Sequence, residues 1–449
     1  MRVKLFGTDG IRGKAGVPPL DRDTVARVGA ALIIARADSG TRDAVRVLVG
    51  RDTRESGPWI EQELARGVTS RGARVTSAGI IPTPAVAYLT RSEGFDLGVV
   101  LSASHNPFED NGIKVFSGAG EKLTGALESH VEAVVADRSW HVADDGASKI
   151  EARDFRGQYN AHLRQVLTGA GALAGSRIVV DCANGATAAV APAFFADLGF
   201  EVVAIGIDPD GRNINAGCGS THLDVLQRRV RHEQARLGVA FDGDGDRALF
   251  VDARGERVDG DAVLLMTAEH LQRHHRLPGA AIVATVMSNI GLELALRDRG
   301  IGLVRTAVGD KYVMEEMLAR GLALGGEQSG HIILAHHLFT GDGMATALQV
   351  LAVMADTNRE LADLASALVT YPQVLVNVRV RQKTDLSAVP VIADAMRRVE
   401  SHLAGEGRLL VRYSGTEPLL RIMLEGKDQD EIQAWADEIA SVVRAELGQ

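Results

Sequence analysis

The sequence predicts an α/β protein: a series of similar α/β units followed by one smaller α+β domain. Three observations carry that prediction. Short apolar runs end at glycine or aspartate and give way to longer amphipathic stretches, the alternation of strand and helix that builds α/β folds. At 449 residues the chain exceeds what one hydrophobic core supports and should divide into about three or four domains. From about residue 370 the order of elements changes.

Taken in order, "VRVLVG" ends at the polar "RDTRES", and "GVVLSASHNP" runs into a polar loop. "RIVVDCANG" turns into the helical "ATAAVAPAFFADLG", and "GVAFDGDGD" leads on to a second apolar run, "ALFVDARG". A polar, glycine-laced loop thus recurs at strand ends, where such folds place their chemistry. No strict sequence repeat accompanies it. The C-terminal portion reads strand ("VLVNVRV"), helix ("VPVIADAMRRVESHL"), strand ("RLLVRYSG"), strand ("LLRIMLEG"), helix. Its last helix opens with Asp428 three residues before Glu431, a capping-box pattern, and sets Ile432, Trp435, Ile439 and Val443 on one face. The polar stretch around residues 140–155 and the end of "FVDARGERVDG" near 255 are the best further boundaries. The expected domains are therefore 1–153, 154–255, 256–369 and 370–449.

Composition removes several classes of function. With 46% hydrophobic and 24% charged residues, 49 glycines and 12 prolines, the chain is not disordered. A net charge of −9 with no long Lys/Arg run argues against nucleic acid or an anionic membrane as partner, and for a small molecule. Cys182 and Cys218 have neither a disulfide framework nor the paired spacing of a zinc site. No window of 18 residues is free of strong polarity, and the N-terminus lacks the apolar segment of a signal peptide. The expectation is a cytoplasmic protein.

Four loops carry candidate chemistry. In "LSASHNPFEDNGIK", residues 101–114, Pro107 keeps the loop from becoming helix and Asn111-Gly112 supplies a tight turn. The strand that follows then carries Lys114 back beside the serines. A serine at a strand end is ordinarily a turn former or cap. With His105 and Lys114 near it, Ser104 is also a candidate nucleophile or phosphate carrier.

"FDGDGDRALF" places Asp242, Asp244 and Asp246 at the end of an apolar strand, separated by single glycines. Three carboxylates so spaced repel one another without a cation, and hard oxygen ligands suit Mg²⁺. An EF-hand loop counted from Asp242 would need glycine sixth and glutamate twelfth, where Arg247 and Ala253 stand.

"GGEQSGH" offers Glu327, Ser329 and His331 as acceptor, hydroxyl and imidazole, a set suited to sugar hydroxyls, although a plain polar turn has the same composition. Zinc at His331, His336 and His337 lacks the H-E-x-x-H helix that would support it. "RYSGTEPLLR" joins two strands through Ser414, Gly415 and Thr416 with Arg412 and Arg421 flanking, which is a phosphate cradle or a plain hairpin. "GAGALAG" precedes its strand, where a dinucleotide fingerprint must follow one, and no Walker A sequence occurs.

Together "SASHNP", "DGDGDR", "GEQSGH" and "RYSGTEP", in this order and across essentially the whole chain, resemble the active-serine, metal, sugar-binding and phosphate-binding loops of the α-D-phosphohexomutases. "FGTDGIRG", "FEDNGIK", "DCANGA" and Gln328 of "GEQSGH" are most similar to the bacterial branch that interconverts glucosamine 6-phosphate and glucosamine 1-phosphate. The branch acting on glucose and mannose phosphates is the alternative. Tyr413 and Lys311 depart from the residues commonest at their positions.

The resemblance implies three doubly wound α/β domains and a TATA-box-binding-protein-like fourth around a central cleft. It implies a phosphate carried on Ser104, whose phosphoryl oxygen joins Asp242, Asp244 and Asp246 on one Mg²⁺, and a sugar bisphosphate as intermediate and activator. Arg12 and Arg247 are expected to border the phosphoserine. Lys114 and His331 are the candidates for proton transfer, with their order in the two half-reactions left open. Glu327, Gln328 and Ser329 would hold the sugar, and Arg412, Ser414, Gly415, Thr416 and Arg421 the phosphate that is not transferring. A phosphatase would share the phosphoserine but admit water. A phosphosugar sensor would lack the serine or the metal loop, and this chain keeps both. A homodimer is compatible with the sequence, which does not fix the oligomeric state.

Overall fold

The structure, a computed structural model, describes residues 4–37, 44–143, 148–166, 170–414 and 418–448. Gly415 and Thr416 of the expected cradle lie outside the described residues. The chain divides into two compact units, Met1–Met287 with Val304–Ser366, and Ser288–Leu303 with Ala367–Gln449.

The first unit opens on a seven-stranded sheet of β1 (Phe6–Gly7), β2 (Gly10–Lys14), β3 (Arg46–Arg51), β4 (Arg74–Ile80), β5 (Leu97–Leu101), β6 (Asp110–Ser117) and β7 (Ile150–Ala152), in the order β1-β2-β6-β5-β3-β4-β7. Strands β5, β3, β4 and β7 run parallel, and β6 returns antiparallel to β5. Every residue of β5, "LGVVL", is buried, as expected of a parallel strand covered on both faces. The helices of this region are α1 (Arg22–Ala37), α2 (Gly57–Thr69), α3 (Thr83–Ser92) and α4 (Gly125–Ala136).

After α5 (Arg156–Val166) comes a five-stranded sheet of β8 (Arg177–Asp181), β9 (Glu201–Ile205), β10 (Leu237–Phe241), β11 (Ala248–Asp252) and β12 (Arg257–Val258), with α6 (Ala191–Asp197) and α7 (Asp224–Glu233). Strands β10, β8 and β9 are parallel, whereas β10 and β11 form an antiparallel hairpin whose loop is "DGDGDR". A four-stranded sheet follows, of β13 (Ala281–Thr285), β14 (Gly302–Thr306), β15 (Leu324–Gly326) and β16 (Ile332–Leu334). With it come α8 (Gly260–Arg273), α9 (Ile290–Asp298), α10 (Asp310–Arg320), α11 (Gly343–Thr357) and α12 (Leu361–Ala365). Strands β15 and β16 pair antiparallel around "EQSGH".

The second unit holds an antiparallel sheet of β17 (Gln373–Arg379), β18 (Arg408–Tyr413) and β19 (Leu419–Glu425), with α13 (Pro390–Leu403) and α14 (Gln429–Leu447) packed into its core. The order strand, helix, strand, strand, helix is the expected one. The Asp428 carboxylate caps α14 by accepting the N–H groups of Asp430 and Glu431 at 2.9 and 3.0 Å. Ile432, Ala436, Ile439 and Val443 are buried and Trp435 is half-buried. Helix α9 falls in this unit although it precedes residue 370. Its start is bonded there: the buried Glu425 carboxylate accepts the N–H of Ile290 at 3.1 Å and the Nε–H of Arg408 at 2.9 Å, and Asn289 exchanges hydrogen bonds with the Tyr371 backbone at 3.0 Å.

Three α/β regions and a C-terminal α+β region are thus present, as the sequence predicts. In all four sheets the chemistry-bearing loop joins a strand to its antiparallel neighbour.

Candidate active site

Ser104 follows β5 and is almost fully buried. Its φ is +54°, in the left-handed region that a serine enters only when its surroundings require it. Those surroundings are specific. The Ser104 N–H donates to Ser102 Oγ at 2.8 Å, and Ser102 Oγ donates to Asp52 Oδ2 at 2.6 Å. The Ser104 carbonyl accepts from Arg54 Nη2 and from Asn215 Nδ2, both at 2.9 Å. Arg54 also donates to the carbonyls of Asn106 at 2.8 Å, Asp110 at 3.0 Å and Pro107, while its Nε holds Asp52 at 2.8 Å. The hydroxyl so presented donates to the Asp242 carboxylate and lies 3.4 Å from His105 Nδ1.

The alternating glycines of "DGDGD" have a steric cause. A Cβ on Gly243 would stand 2.6 Å from the Ser104 carbonyl oxygen, and Gly245 has φ +72°. Only glycine lets the two loops approach so closely while all three aspartates face one region. Asp242, Asp244 and Asp246 are buried and offer oxygens within 4.8 Å of one another. Lys114, carried by β6 opposite Val100, donates to Asp244 Oδ2 at 2.7 Å and Asp246 Oδ2 at 2.9 Å, and lies 3.0 Å from Asp9 Oδ2. Thr83 Oγ1 donates to Asp244 Oδ2 at 2.6 Å. The Oδ1 atoms of Asp244 and Asp246 are buried with no hydrogen-bond partner among the described residues. Buried carboxylate oxygens left over in this way fit a hard divalent cation.

Charge divides the loop. Burial, then Asp246 and Asp244, push the Asp242 carboxyl well above the usual range. Asp246 goes the other way, because Lys114 and His331 outweigh its burial. Burial lowers Lys114, but Asp244, Asp246 and Asp9 more than reverse this and hold the ammonium well above its ordinary value. That direction is opposite to the one a base near neutrality needs.

A cleft of about 580 Å³ adjoins the loops and brings together Arg12, His105, Arg247, Glu327 and His331. Burial, reinforced by Arg247 and Arg12, takes His105 down to about 4, so its ring is neutral at physiological pH. His331 is raised, because Asp310 and Asp246 overcome its burial. Its Nε2 accepts the Gly341 N–H at 2.9 Å, which favours the proton on Nδ1, 3.7 Å from Asp246 Oδ1. Glu327 Oε1 accepts from Gly309 N at 3.1 Å, and Ser329 Oγ donates to Glu327 Oε2 at 3.4 Å. Gln328 donates its amide to Asp259 Oδ2 at 3.1 Å, which turns its carbonyl oxygen away from that bond.

Several residues of this site escape sequence reasoning. Lys122 bridges Asp9, at 2.7 Å, and Asp310, tying the segment before β2 to the start of α10. Asp52, Arg54 and Asn215 brace the serine loop. Arg54 does stand in "RDTRES", one of the strand-end polar loops, but nothing in the sequence says which carbonyls it reaches. Lys311 donates to Glu128 Oε2 at 2.6 Å, and the Tyr413 hydroxyl donates to the Thr384 carbonyl at 2.7 Å, so both unusual residues have local partners.

In the second unit, Arg412 and Arg421 stand directly opposite each other on β18 and β19. Two guanidinium groups in register suit the oxygens of a phosphate. Ser414 lies beside them, and its carbonyl accepts from Lys383 Nζ at 2.7 Å.

A buried serine thus stands against three aspartates at the C-terminal end of an α/β sheet, the arrangement that the resemblance to the phosphohexomutases leads one to expect. Comparison with known proteins agrees. Four family profiles, described as phosphoglucomutase/phosphomannomutase alpha/beta/alpha domains I, II and III and C-terminal domain, match residues 3–141, 158–255, 259–371 and 375–442. The chain belongs to this phosphoglucomutase/phosphomannomutase family, whose members are intramolecular phosphotransferases of the isomerase class.

Among similar full-length proteins is the phosphoglucosamine mutase of Geobacter sp. (strain M21), 47% identical over 99% of this chain and 98% of its own. That of Solibacter usitatus is 48% identical over 100% of both chains. Solved structures with the same fold include a phosphoglucomutase/phosphomannomutase family protein from Burkholderia thailandensis, with TM-score 0.80 and 24% identity over 100% of both chains. The Aspergillus fumigatus N-acetylphosphoglucosamine mutase in complex with GlcNAc-6P and magnesium has TM-score 0.65 and 17% identity over 98% of this chain and 95% of its own.

Proposed function

We propose that the chain interconverts glucosamine 6-phosphate and glucosamine 1-phosphate, with Ser104 as phosphoryl carrier and a glucosamine bisphosphate as intermediate and activator. Ser104 itself carries this reading: a serine held at positive φ with its hydroxyl on a buried aspartate, in a chain about 47% identical end to end to phosphoglucosamine mutases.

Asp242, Asp244 and Asp246, with an oxygen of the phosphate on Ser104, would hold Mg²⁺, which when bound would offset charge developing on the transferring group. In the first half-reaction the bond from Ser104 Oγ to phosphorus breaks as the free sugar hydroxyl bonds to it. That hydroxyl loses its proton, and Ser104 Oγ regains one. We assign the exchange to His331, which lines the cleft: raised by Asp310 and Asp246, it can give a proton to Ser104 Oγ and then take up the one the sugar hydroxyl releases, whereas Lys114 keeps its charge among the carboxylates. Arg12 and Arg247 border the phosphate on Ser104, and the neutral ring of His105 stays within reach of its oxygen. The bisphosphate turns over and returns its other phosphate to Ser104. Arg412, Ser414, Gly415, Thr416 and Arg421 would hold whichever phosphate is not moving.

Glu327 and Ser329 face ring hydroxyls that look alike after the turn. The carbonyl oxygen of Gln328, turned away from Asp259, suits the donors of a C2 ammonium. Glucosamine 1-phosphate made this way would feed UDP-N-acetylglucosamine and cell-wall synthesis. Two free, buried cysteines fit a reducing cytoplasm, and no helix among the described residues is long and apolar enough to cross a membrane.

The test is turnover of glucosamine, glucose and mannose 1-phosphates by the purified protein, followed by ³¹P resonance. Conversion of glucosamine 1-phosphate to the 6-phosphate, about 10- to 1,000-fold faster in kcat/KM than glucose 1-phosphate, is expected from one differing polar position. Release of inorganic phosphate would make the protein a phosphatase, and equal kcat/KM for glucose would move it to the glucose/mannose branch.

A further inference from the structure

The C-terminal ends of α8 and α11 bring together His270, His274 and Asp356. His274 Nε2 lies 3.1 Å and His270 Nδ1 3.4 Å from the same oxygen, Asp356 Oδ2, and the two rings are 4.6 Å apart, tilted by 53°. One nitrogen or oxygen from each residue falls within 4.8 Å of the others. His270 is only 6% exposed, and its Nδ1 points at the cluster without the alignment of a hydrogen bond, leaving it without a hydrogen-bond partner among the described residues. Nothing in the phosphohexomutase reaction uses these side chains.

We propose that His270, His274 and Asp356 form a second metal site, distinct from the aspartate loop, that takes a borderline divalent ion such as Zn²⁺. Two imidazoles and one carboxylate are the donor set of zinc, not of magnesium. Ligands about 2.05 Å from a tetrahedral ion stand about 3.3 Å from one another, and two of the three separations here are 3.1 and 3.4 Å. Histidines four residues apart at a helix end present both rings to one point. His274 and Asp356 are exposed, which leaves the fourth position to water.

The competing arrangement is a plain ion pair, since Arg273 Nη1 also stands 3.5 Å from Asp356 Oδ2. That arginine is half exposed and can leave when an ion enters. A bound ion would fasten the C-terminal ends of two helices whose N-terminal caps are Asp259, the partner of Gln328, and Asp342.

The probe is Zn²⁺ alone, titrated calorimetrically into enzyme already saturated with Mg²⁺, for wild type, His274→Ala and Asp356→Asn. Wild type should bind one equivalent of Zn²⁺ that both variants bind at least about tenfold more weakly, and only wild type should gain thermal stability from the ion. Co²⁺ should give wild type, and neither variant, the intense visible bands of a low-coordinate nitrogen and oxygen site. Both substitutions lie at exposed positions, so unfolding curves in chelator and turnover with Mg²⁺ should match wild type, which excludes misfolding as the cause. Superimposable Zn²⁺ titrations for the three proteins would overturn the proposal.

Discussion

Arg54→Lys should reduce turnover far more than it reduces substrate affinity, although Arg54 touches no substrate. The arginine and its partner Asp52 have side chains with no solvent exposure, and one guanidinium serves the carbonyls of Ser104, Asn106, Pro107 and Asp110 as well as the Asp52 carboxylate. Lysine keeps the charge but not the planar fork, so at least two of those contacts are lost. Each charge-assisted bond is worth about 1.5–3 kcal/mol, and relaxation recovers part of it, so the expected loss of stability is about 2–4 kcal/mol. Arg54→Met, which leaves Asp52 buried without its cation, should lose about 3–5 kcal/mol. Relaxing the loop lets Ser104 leave φ +54°, and a displacement of about 1 Å at a reacting group costs about 10²-fold in rate.

The assay pairs urea unfolding with initial rates on glucosamine 1-phosphate. A fall of about 10²-fold in kcat, with KM within about threefold of wild type, is expected. Asn215→Ala, which removes a single contact to the Ser104 carbonyl, should move both readouts the same way by less. Wild-type kcat in Arg54→Lys, or a loss confined to KM, would refute the positioning argument.

Peptide mass spectrometry of the isolated protein should find phosphate on Ser104, and Ser104→Ala should abolish turnover; phosphate on Ser102 alone would contradict the assignment. Asp244→Asn should weaken Mg²⁺ binding and cut turnover by orders of magnitude with the fold intact, and full activity after chelator treatment would argue against a metal requirement. His162, stacked between Tyr88 at 3.7 Å and His337 at 4.1 Å, is taken down to about 4 by burial and then by His337. Its folded pKa lies below the unfolded value of about 6.5, so the unfolded chain binds the extra proton between those values and stability falls as pH drops from about 6.5 to 4. His162→Phe keeps the stack and removes the proton site, so its melting temperature should fall less between pH 7 and pH 5 than that of wild type; parallel curves would refute the assignment.

What could be read from the sequence followed from local rules. "LGVVL" announces a buried strand by its apolar run, and "DGDGDR" puts three carboxylates on six residues, whose oxygens the fold brings within 4.8 Å of one another. The return of Lys114 to the serine loop follows from the turn at Asn111-Gly112 and the pairing of the next strand. The placement of α9 with the C-terminal unit goes instead with buried contacts such as that of Glu425 with the Ile290 N–H and those of Asn289 with the Tyr371 backbone, and a single glutamate in an apolar strand does not name its partner. Lys122, Asp9 and Asp310 are separated by more than a hundred residues, and no periodicity connects them. Arg54 is the clearest case. An arginine at a strand end is ordinarily a solvated surface residue, and only the folded chain shows it buried beneath the loop it holds.

The two directions in which the loop aspartates titrate also bear on why both a lysine and a cation are called for. Lys114 occupies one side of the loop, bonding the Oδ2 atoms of Asp244 and Asp246, and Asp246 is accordingly held ionised. Asp242 gains nothing from it: burial and its own neighbours push its carboxyl upward. The Oδ1 atoms of Asp244 and Asp246 are left without hydrogen-bond partners among the described residues. Burying a carboxylate without compensation is costly, so a second positive centre beside them would satisfy the orphaned oxygens and reverse the shift on Asp242 together. It would stand beside the Ser104 hydroxyl, which Asp242 already holds. A further lysine there would bring one positive charge and could donate to a phosphate oxygen, but a divalent cation brings two charges to the same place. A hard cation can bind the aspartates and a phosphate oxygen at once, which is what the proposed phosphate on Ser104 would require.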